Sequence, residues 1–124
     1  MKDGFIKCAS ATIDIKVADV EYNTENIIRA MRQAAENKAK IVVFHELCVT
    51  GYTCGDLFLQ KNLLDSAKQS LIRIARESEN LDITAVIGLP YVVNQKLYNC
   101  AAVVNFGHVK GLIPKLNIPN YSEF

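Results

Sequence analysis

Two charged residues follow short apolar segments, where a chain leaving a strand can place them in a binding cleft. Glu46 comes after Ile41–Phe44, with only His45 between, and Lys115 comes after an apolar segment that ends in Pro114. Ligands of open α/β sheets bind beyond the carboxyl ends of the strands. A carboxylate there can act as a general base, particularly where partial burial raises its pKa toward neutrality. An ammonium group near a reacting carbonyl can stabilise an oxyanion.

Each of these residues also has a plain structural interpretation. Glu46 can be a helix cap or a surface charge, and Lys115 can be a solvated loop lysine. Tyr52 can line a pocket or pack as a loop tyrosine on the core. The nearby glycines, Gly51 and Gly55, are typical of turns, because the glycine spacing and the Lys-Ser/Thr pair of a phosphate-binding loop are absent.

Four cysteines, Cys8, Cys48, Cys54 and Cys100, are scattered through segments that otherwise indicate strands or core. Such thiols in a reducing compartment are usually small buried hydrophobic residues. The sequence contains no C-x-x-C, and neither histidine is grouped with the cysteines. We therefore expect neither a zinc site nor a disulfide framework.

The composition is that of one globular domain spanning residues 1–124. Half of the residues are hydrophobic and the formal net charge is +1, which excludes intrinsic disorder. Fourteen basic residues face thirteen acidic ones, so little positive charge remains for binding nucleic acid. No apolar run approaches the ~20 residues of a membrane span, and the amino terminus lacks a signal-peptide core. We expect a soluble cytoplasmic protein.

The first half of the chain predicts a strand–helix–strand unit. Phe5–Ile15 has the small and branched residues of a strand buried on both faces. A helix is predicted to follow, with Asn23 or Thr24 as its N-cap and its end near Asn37. Ile41–Phe44 is a short apolar strand.

The second half adds a helix, a strand and a hairpin. After a loop of polar and small residues from His45 to Asp56, apolar residues at helical spacing predict a helix over Leu63–Ala75, fading near Glu79. A buried strand, Ile83–Leu89, is expected to stop at Pro90. Two further strands, 97–105 and 108–113, are predicted to join through a tight turn at Phe106–Gly107. This order indicates an α/β architecture with a mixed sheet.

Two separated motifs resemble one known family. Residues 44–58, FHELCVTGYTCGDLF, resemble the glutamate loop of the nitrilase (carbon–nitrogen hydrolase) superfamily, and in particular the amidase domain of glutamine-dependent NAD synthetases. Residues 111–124, GLIPKLNIPNYSEF, resemble the lysine loop of the same subfamily. The motifs occur in the family's order, and the resemblance spans essentially the whole chain.

The resemblance implies a nitrilase-like α-β-β-α sandwich, of which this chain would hold about the first half, and a Glu-Lys-Cys triad. Glu46 matches the general base and Lys115 the lysine that stabilises the transition state. Tyr52 and Tyr121 match positions that line the glutamine pocket, and Phe124 borders it. The family's cysteine attacks the side-chain amide of glutamine. The ammonia released passes to a synthetase domain that uses ATP and Mg²⁺, whereas the amidase part needs no cofactor.

The sequence departs from this pattern at the nucleophile, which in the family follows the lysine on a later strand. None of the four cysteines matches that position. Cys48 is expected to be a structural thiol, and Cys54 belongs to the loop signature. We therefore expect an amino-terminal fragment, inactive alone, that associates with itself and whose partners are glutamine, the rest of the amidase and the synthetase domain. The alternatives are a non-catalytic binding module and half of another nitrilase-family amidase.

Overall fold

In the computed structural model, which describes residues 4–51 and 60–115, two helices cover one five-stranded sheet. The strands lie in the order β1-β2-β3-β4-β5. The first three are mutually parallel, and β4 and β5 add an antiparallel hairpin. The predicted mixed α/β sheet is confirmed. The elements are β1 (Cys8–Ala11), α1 (Val20–Glu36), β2 (Ile41–Phe44), α2 (Lys61–Glu77), β3 (Thr84–Val93), β4 (Lys96–Asn105) and β5 (His108–Pro114).

Both helices lie on the same face of the sheet. Each connects two adjacent parallel strands, and such crossovers are right-handed, so successive helices added in one direction share a face. Buried apolar residues from alternate strand positions meet the apolar sides of the two helices. These core residues are Ile27, Met31, Val42, Phe44, Ala67, Leu71, Ile74, Ala85, Ile87, Leu89, Ala102 and Val104.

The opposite face of the sheet is also apolar but carries no helix in the described part of the chain. Val43, Val86 and Val103 are aligned across three neighbouring strands. The Val43 residue is 43% exposed and Ile113, on β5, is 58% exposed. We call this surface the open face, and define it by Val43, Val86, Val103, Ala101 and Ile113. Side chains of this type are normally covered in a folded protein.

Helix α1 begins earlier than predicted. Its N-cap is Asp19, whose carboxylate accepts a hydrogen bond from the backbone N–H of Tyr22 at 3.0 Å. The predicted caps, Asn23 and Thr24, are instead buried inside the helix. Asp19 provides the better cap because its side chain stands before the first turn, where the backbone donors are unpaired. The predicted end is confirmed, since Asn37 follows the last helical residue.

Two strands differ from their predicted extents. β1 covers only Cys8–Ala11 and is an edge strand with alternating exposed and half-buried residues, so it is not buried on both faces. β3 continues to Val93, and Pro90 lies within it, opposite Asn99. The strand tolerates Pro90 because β2 pairs no further than Val86, so that among the described strands only β4 pairs with this stretch of β3.

Two tight turns join the antiparallel strands. The predicted turn at Phe106–Gly107 is confirmed, and both residues have positive φ angles, 47° and 87°. The β3–β4 connection, which the sequence analysis did not predict, uses the same type of backbone at Asn94 and Gln95, with φ angles of 51° and 66°. Consecutive positive φ angles match the right-handed twist of a two-residue hairpin. The second helix, predicted over Leu63–Ala75, is confirmed as α2.

Within the two described ranges, no helix is long and apolar enough to cross a membrane.

Candidate active site

The segment after β2 forms a tight turn that presents Glu46. The N–H groups of Thr50 and Gly51 both donate to the carbonyl oxygen of Leu47, at 3.3 and 2.8 Å. Leu47 itself has a φ of 52°, a left-handed conformation that costs free energy for a branched side chain. The residue types in this segment predicted a loop of polar and small residues, yet Leu47, Cys48 and Thr50 are fully buried. Glu46 therefore projects from a segment that is packed as tightly as the hydrophobic core.

Two neighbouring elements hold this turn, here called the glutamate turn (residues 45–51). On one side, the N–H of Val49 donates to the carbonyl of Gly88 in β3 at 3.2 Å. On the other side, the buried amide of Asn23 donates to the carbonyl of Val49 at 2.9 Å. The backbone N–H of Ala18 also donates to the carbonyl of Thr50 at 2.8 Å. Asn23, predicted as a helix cap, thus ties α1 to the turn instead.

The glutamate turn approaches β3 so closely that only glycine fits at position 88. A Cβ atom there would lie 2.4 Å from the backbone nitrogen of Leu47 and 3.0 Å from the carbonyl oxygen of His45. Glycine inside a strand often marks such a close approach of another backbone. Gly88 therefore sets the distance between the glutamate turn and the sheet.

The structure brings Glu46 and Lys115 together. The Lys115 Nζ donates to the Oε1 of Glu46 at 2.9 Å. Asn99 in β4, which the sequence analysis did not select, donates its side-chain N–H to the same oxygen at 2.7 Å. The carbonyl of Asn99 also accepts from the backbone N–H of Lys115 at 2.8 Å. The three side chains form one connected group.

The topology explains why residues so far apart in sequence meet. β5 runs in the same direction as β2, because two antiparallel steps separate β5 from β3. Glu46 and Lys115 thus both leave the sheet at its carboxyl-terminal edge, as the sequence analysis expected. Asn99 shares a side of β4 with Ala101 and Val103, so the group lies toward the open face.

The pKa of Glu46 is lowered, whereas partial burial was expected to raise it. The hydrogen bond from Lys115 is the largest cause, and the bond from Asn99 and the positive charge of Lys115 act in the same direction. Partial burial opposes them but does not prevail. The carboxyl group is therefore ionised at neutral pH, which is the form in which a general base accepts a proton.

This arrangement offers a carboxylate base beside a positively charged hydrogen-bond donor. The Glu46 and Lys115 side chains are 38% and 46% exposed, so a small molecule can reach both. In residues 4–51 and 60–115, no group of three or more His, Cys, Asp or Glu residues is placed to hold a metal ion. The geometry suits a reaction in which one proton moves while an oxygen gains negative charge.

The cysteines with described positions do not join this group as nucleophiles. Cys48 is fully buried, its Sγ lies 3.6 Å from the carbonyl of Gly88, and burial raises its thiol pKa to about 12. Cys100 is also buried, which raises the pKa of its thiol. Cys8 is exposed but lies opposite Ile41, at the other end of β2 from Glu46. The expectation that Cys48 is a structural thiol agrees with its surroundings.

We expect Cys48 to resist alkylation in the folded chain. With iodoacetamide at pH 8, the exposed Cys8 should react at least ~10²-fold faster than Cys48, because only the accessible thiolate is reactive. Peptide mass mapping over time measures both rates, and a sample unfolded in urea serves as the control in which the rates converge. Equal rates in the folded chain would show that Cys48 is accessible.

Several predicted site residues lie outside the described part of the chain. These are Tyr52, Tyr121, Phe124 and the loop residue Cys54. Conversely, sequence reasoning missed Asn99 and Gly88. A signal for each was present, since Asn99 is a polar residue within an apolar strand and Gly88 interrupts another.

Comparison with known proteins identifies the family. The sequence profile of the carbon-nitrogen hydrolase family matches residues 7–119. The chain belongs to the carbon-nitrogen hydrolase family. Glu46, Asn99 and Lys115 all fall within the matched residues of this family.

The relatives of this carbon-nitrogen hydrolase chain among characterised proteins include glutamine-dependent NAD(+) synthetases. The protein of Mycobacterium bovis is 33% identical over 121 residues, which are 98% of this chain and 18% of that protein. The protein of Aquifex aeolicus is 37% identical over 114 residues, 92% of this chain and 20% of that protein. The chain thus spans about a fifth of the length of these relatives.

Solved structures confirm a partial nitrilase fold. A glutamine-dependent NAD(+) synthetase from Cytophaga hutchinsonii matches with a TM-score of 0.86 and 35% identity, covering 93% of this chain and 20% of that one. An amidase from Nesterenkonia sp. matches with a TM-score of 0.79 at 21% identity, covering 99% of this chain and 47% of that one. The second likeness supports the fold alone.

Proposed function

We propose that this chain contributes the general base and the oxyanion-stabilising lysine of an amidase site that releases ammonia from glutamine for NAD synthesis. The contact between Glu46 and Lys115, 2.9 Å long and reinforced by Asn99, is the observation that carries the proposal. The names of the relatives at 33% and 37% identity support glutamine as the substrate and a synthetase as the user of the ammonia.

In this proposal a cysteine thiol from outside these 124 residues supplies the nucleophile. Glu46 accepts the thiol proton as sulfur bonds to the amide carbon, and Lys115 stabilises the resulting oxyanion. The carbon–nitrogen bond then breaks, and the leaving nitrogen takes the proton from Glu46 to depart as ammonia. Water next attacks the thioester carbon and gives a proton to Glu46. The carbon–sulfur bond then breaks, the sulfur takes that proton back from Glu46 to restore the thiol, and glutamate is released. The net reaction is glutamine plus water to glutamate plus ammonia, with no cofactor.

The partners follow from the same proposal. Glutamine is the small-molecule substrate, and the ammonia is used by a synthetase domain that requires ATP and Mg²⁺. Tyr52, Tyr121 and Phe124 are proposed to line the glutamine pocket, beside the group formed by Glu46 and Lys115.

A chimera tests the function. In the Aquifex aeolicus synthetase, the 114-residue region that matches this chain is replaced by this chain's residues. We expect the chimera to form glutamate and ammonia from glutamine, whereas the 124-residue chain alone forms none above a buffer control. Formation of NAD from added ammonium shows that the synthetase domain of the chimera is folded and active. A chimera that uses ammonium but not glutamine would overturn the proposal, as would turnover by the lone chain that Cys48→Ser abolishes.

We expect the 124-residue chain on its own to self-associate through the open face. Val43 and Ile113 expose apolar surface there, and β5 is the last of the described strands in the sheet order, so its outer edge has no partner among the described residues. Sedimentation equilibrium should therefore show species larger than the monomer, with binding of a hydrophobic dye.

Matched charge substitutions locate the self-association surface. Val43→Glu and Ile113→Glu should each reduce self-association and dye binding. Ile72→Glu serves as the control, because Ile72 is similarly exposed, at 40%, but lies on α2. A monomeric parent chain with no dye binding, or equal effects from all three substitutions, would contradict this prediction.

A further inference from the structure

Asn99 is almost fully buried and makes hydrogen bonds to both charged residues of the candidate site, Glu46 and Lys115. The residue is 4% exposed and lies on β4, between β3 and β5. The amide N–H donates to Glu46 at 2.7 Å, and the backbone carbonyl accepts from the N–H of Lys115 at 2.8 Å. Because the strand fixes this backbone, the position of one group is tied to that of the other.

The two donors converge on one oxygen of the carboxylate. Both Lys115 and Asn99 donate to Oε1 of Glu46, and no hydrogen bond from a described residue reaches Oε2. A carboxylate held at one oxygen by two donors has a fixed plane, so the direction of the remaining oxygen is fixed too. Lys115 alone, on a flexible four-carbon stem, would fix its own distance to Oε1 but not this plane.

We propose that Asn99 is a positioning residue of the amidase site, which aims Oε2 of Glu46 at the proton to be transferred. This inference rests on the proposed function and adds a role for a residue in β4. The strand β4 fixes the position of the donor, and Oε2, which no described donor contacts, serves as the base. An amide serves here better than a second acid, because a carboxylate at position 99 would repel Glu46.

Substitution of Asn99 should change the ionisation of Glu46 directly. In the full 124-residue chain, the ¹³C resonance of the Glu46 carboxylate is assigned by its loss in Glu46→Gln. We expect its measured pKa to rise by about one pH unit in Asn99→Leu, because one donor to the charged form is removed. We expect a larger rise in Asn99→Asp, where the new carboxylate repels the old one. The charge of Lys115 lowers the pKa of Glu46 in every variant, so it does not contribute to the differences in pKa between the variants.

Asn105 provides a matched control on the same strand. It lies on the same side of β4 as Asn99, and its amide donates to the hydroxyl of Thr84 at 3.2 Å rather than to Glu46. Asn105→Asp should leave the Glu46 titration unchanged. An unchanged titration in both Asn99 variants, or an equal rise in Asn105→Asp, would overturn the positioning role whether or not the chain serves glutamine hydrolysis.

The chimera adds a kinetic readout. For Asn99→Leu we expect a roughly 10-fold fall in kcat for glutamine with KM little changed, since the base is misaimed while the substrate still binds. The acidic limb of the pH–rate profile should move up with the pKa of Glu46. Loss of glutamine use by the parent chimera counts against the proposed function, whereas an unchanged kcat and pH profile in Asn99→Leu counts against Asn99 alone.

Discussion

Replacing Glu46 by Gln or Lys115 by Met in the chimera is expected to lower glutamine-driven NAD formation at least ~10²-fold. Glu46→Gln keeps the shape of the side chain but removes the proton acceptor. Lys115→Met keeps the length of the stem but removes the charge opposite the oxyanion. Each loss should appear in kcat, because in the proposed mechanism both groups act on the reacting atoms.

Ammonium is the control substrate for these substitutions. Synthesis from added ammonium should survive both changes, since the amidase site is not needed when ammonia is supplied directly. Measuring NAD formation with each nitrogen donor separates the two activities within one protein. Equal loss with glutamine and ammonium would mean that Glu46 and Lys115 support the structure rather than the chemistry.

Replacing Gly88 by Ala is expected to displace the glutamate turn. The added Cβ would lie 2.4 Å from the backbone nitrogen of Leu47, and backbone cannot move aside as the end of a side chain can. Overpacking of this kind costs about 1–3 kcal/mol of stability. Because Glu46 precedes Leu47 directly, its carboxylate moves with the turn. We expect glutamine-driven synthesis by the chimera to fall at least ~10-fold and its melting temperature to drop.

Gly111→Ala is the matched control. Gly111 also lies in a strand, β5, but a Cβ there would meet nothing within 4 Å. The substitution should leave both activity and melting temperature nearly unchanged. Comparable effects at the two positions would show that loss of glycine in the sheet, rather than contact with the glutamate turn, is responsible.

The sequence predicted elements well where one local signal dominates. The helical spacing from Leu63 to Ala75 predicts α2, and the apolar run Ile41–Phe44 coincides with β2. The predictions were wrong where contacts between segments distant in the sequence determine the local structure. Pro90 was expected to stop β3, but β2 has already ended beside it, so the missing N–H costs no pairing with β2. Asp19 rather than Asn23 caps α1, because Asn23 binds the glutamate turn.

The candidate site was predictable only in part for the same reason. Glu46 and Lys115 could be selected because charged residues directly follow apolar segments, and the order of the elements places both at one sheet edge. Asn99 stands out in the sequence as a polar residue within an apolar strand, but its role could not be assigned, since that role depends on β4 running between β3 and β5. Nor does the sequence predict that Glu46 has a lowered pKa, because that depends on both Lys115 and Asn99 reaching one oxygen.

The central claim is that Glu46 and Lys115 belong to a site that releases ammonia from glutamine. It is tested most directly by tracing the source of the carboxamide nitrogen in NAD. The chimera is given glutamine labelled with ¹⁵N at its side-chain amide together with unlabelled ammonium, and the ¹⁵N content of the NAD carboxamide is measured by mass spectrometry. If Glu46 and Lys115 of this chain form a working amidase site, the product carries ¹⁵N, and Glu46→Gln removes the label while NAD is still made. Unlabelled NAD from the parent chimera, or a label that persists in Glu46→Gln, would contradict the account.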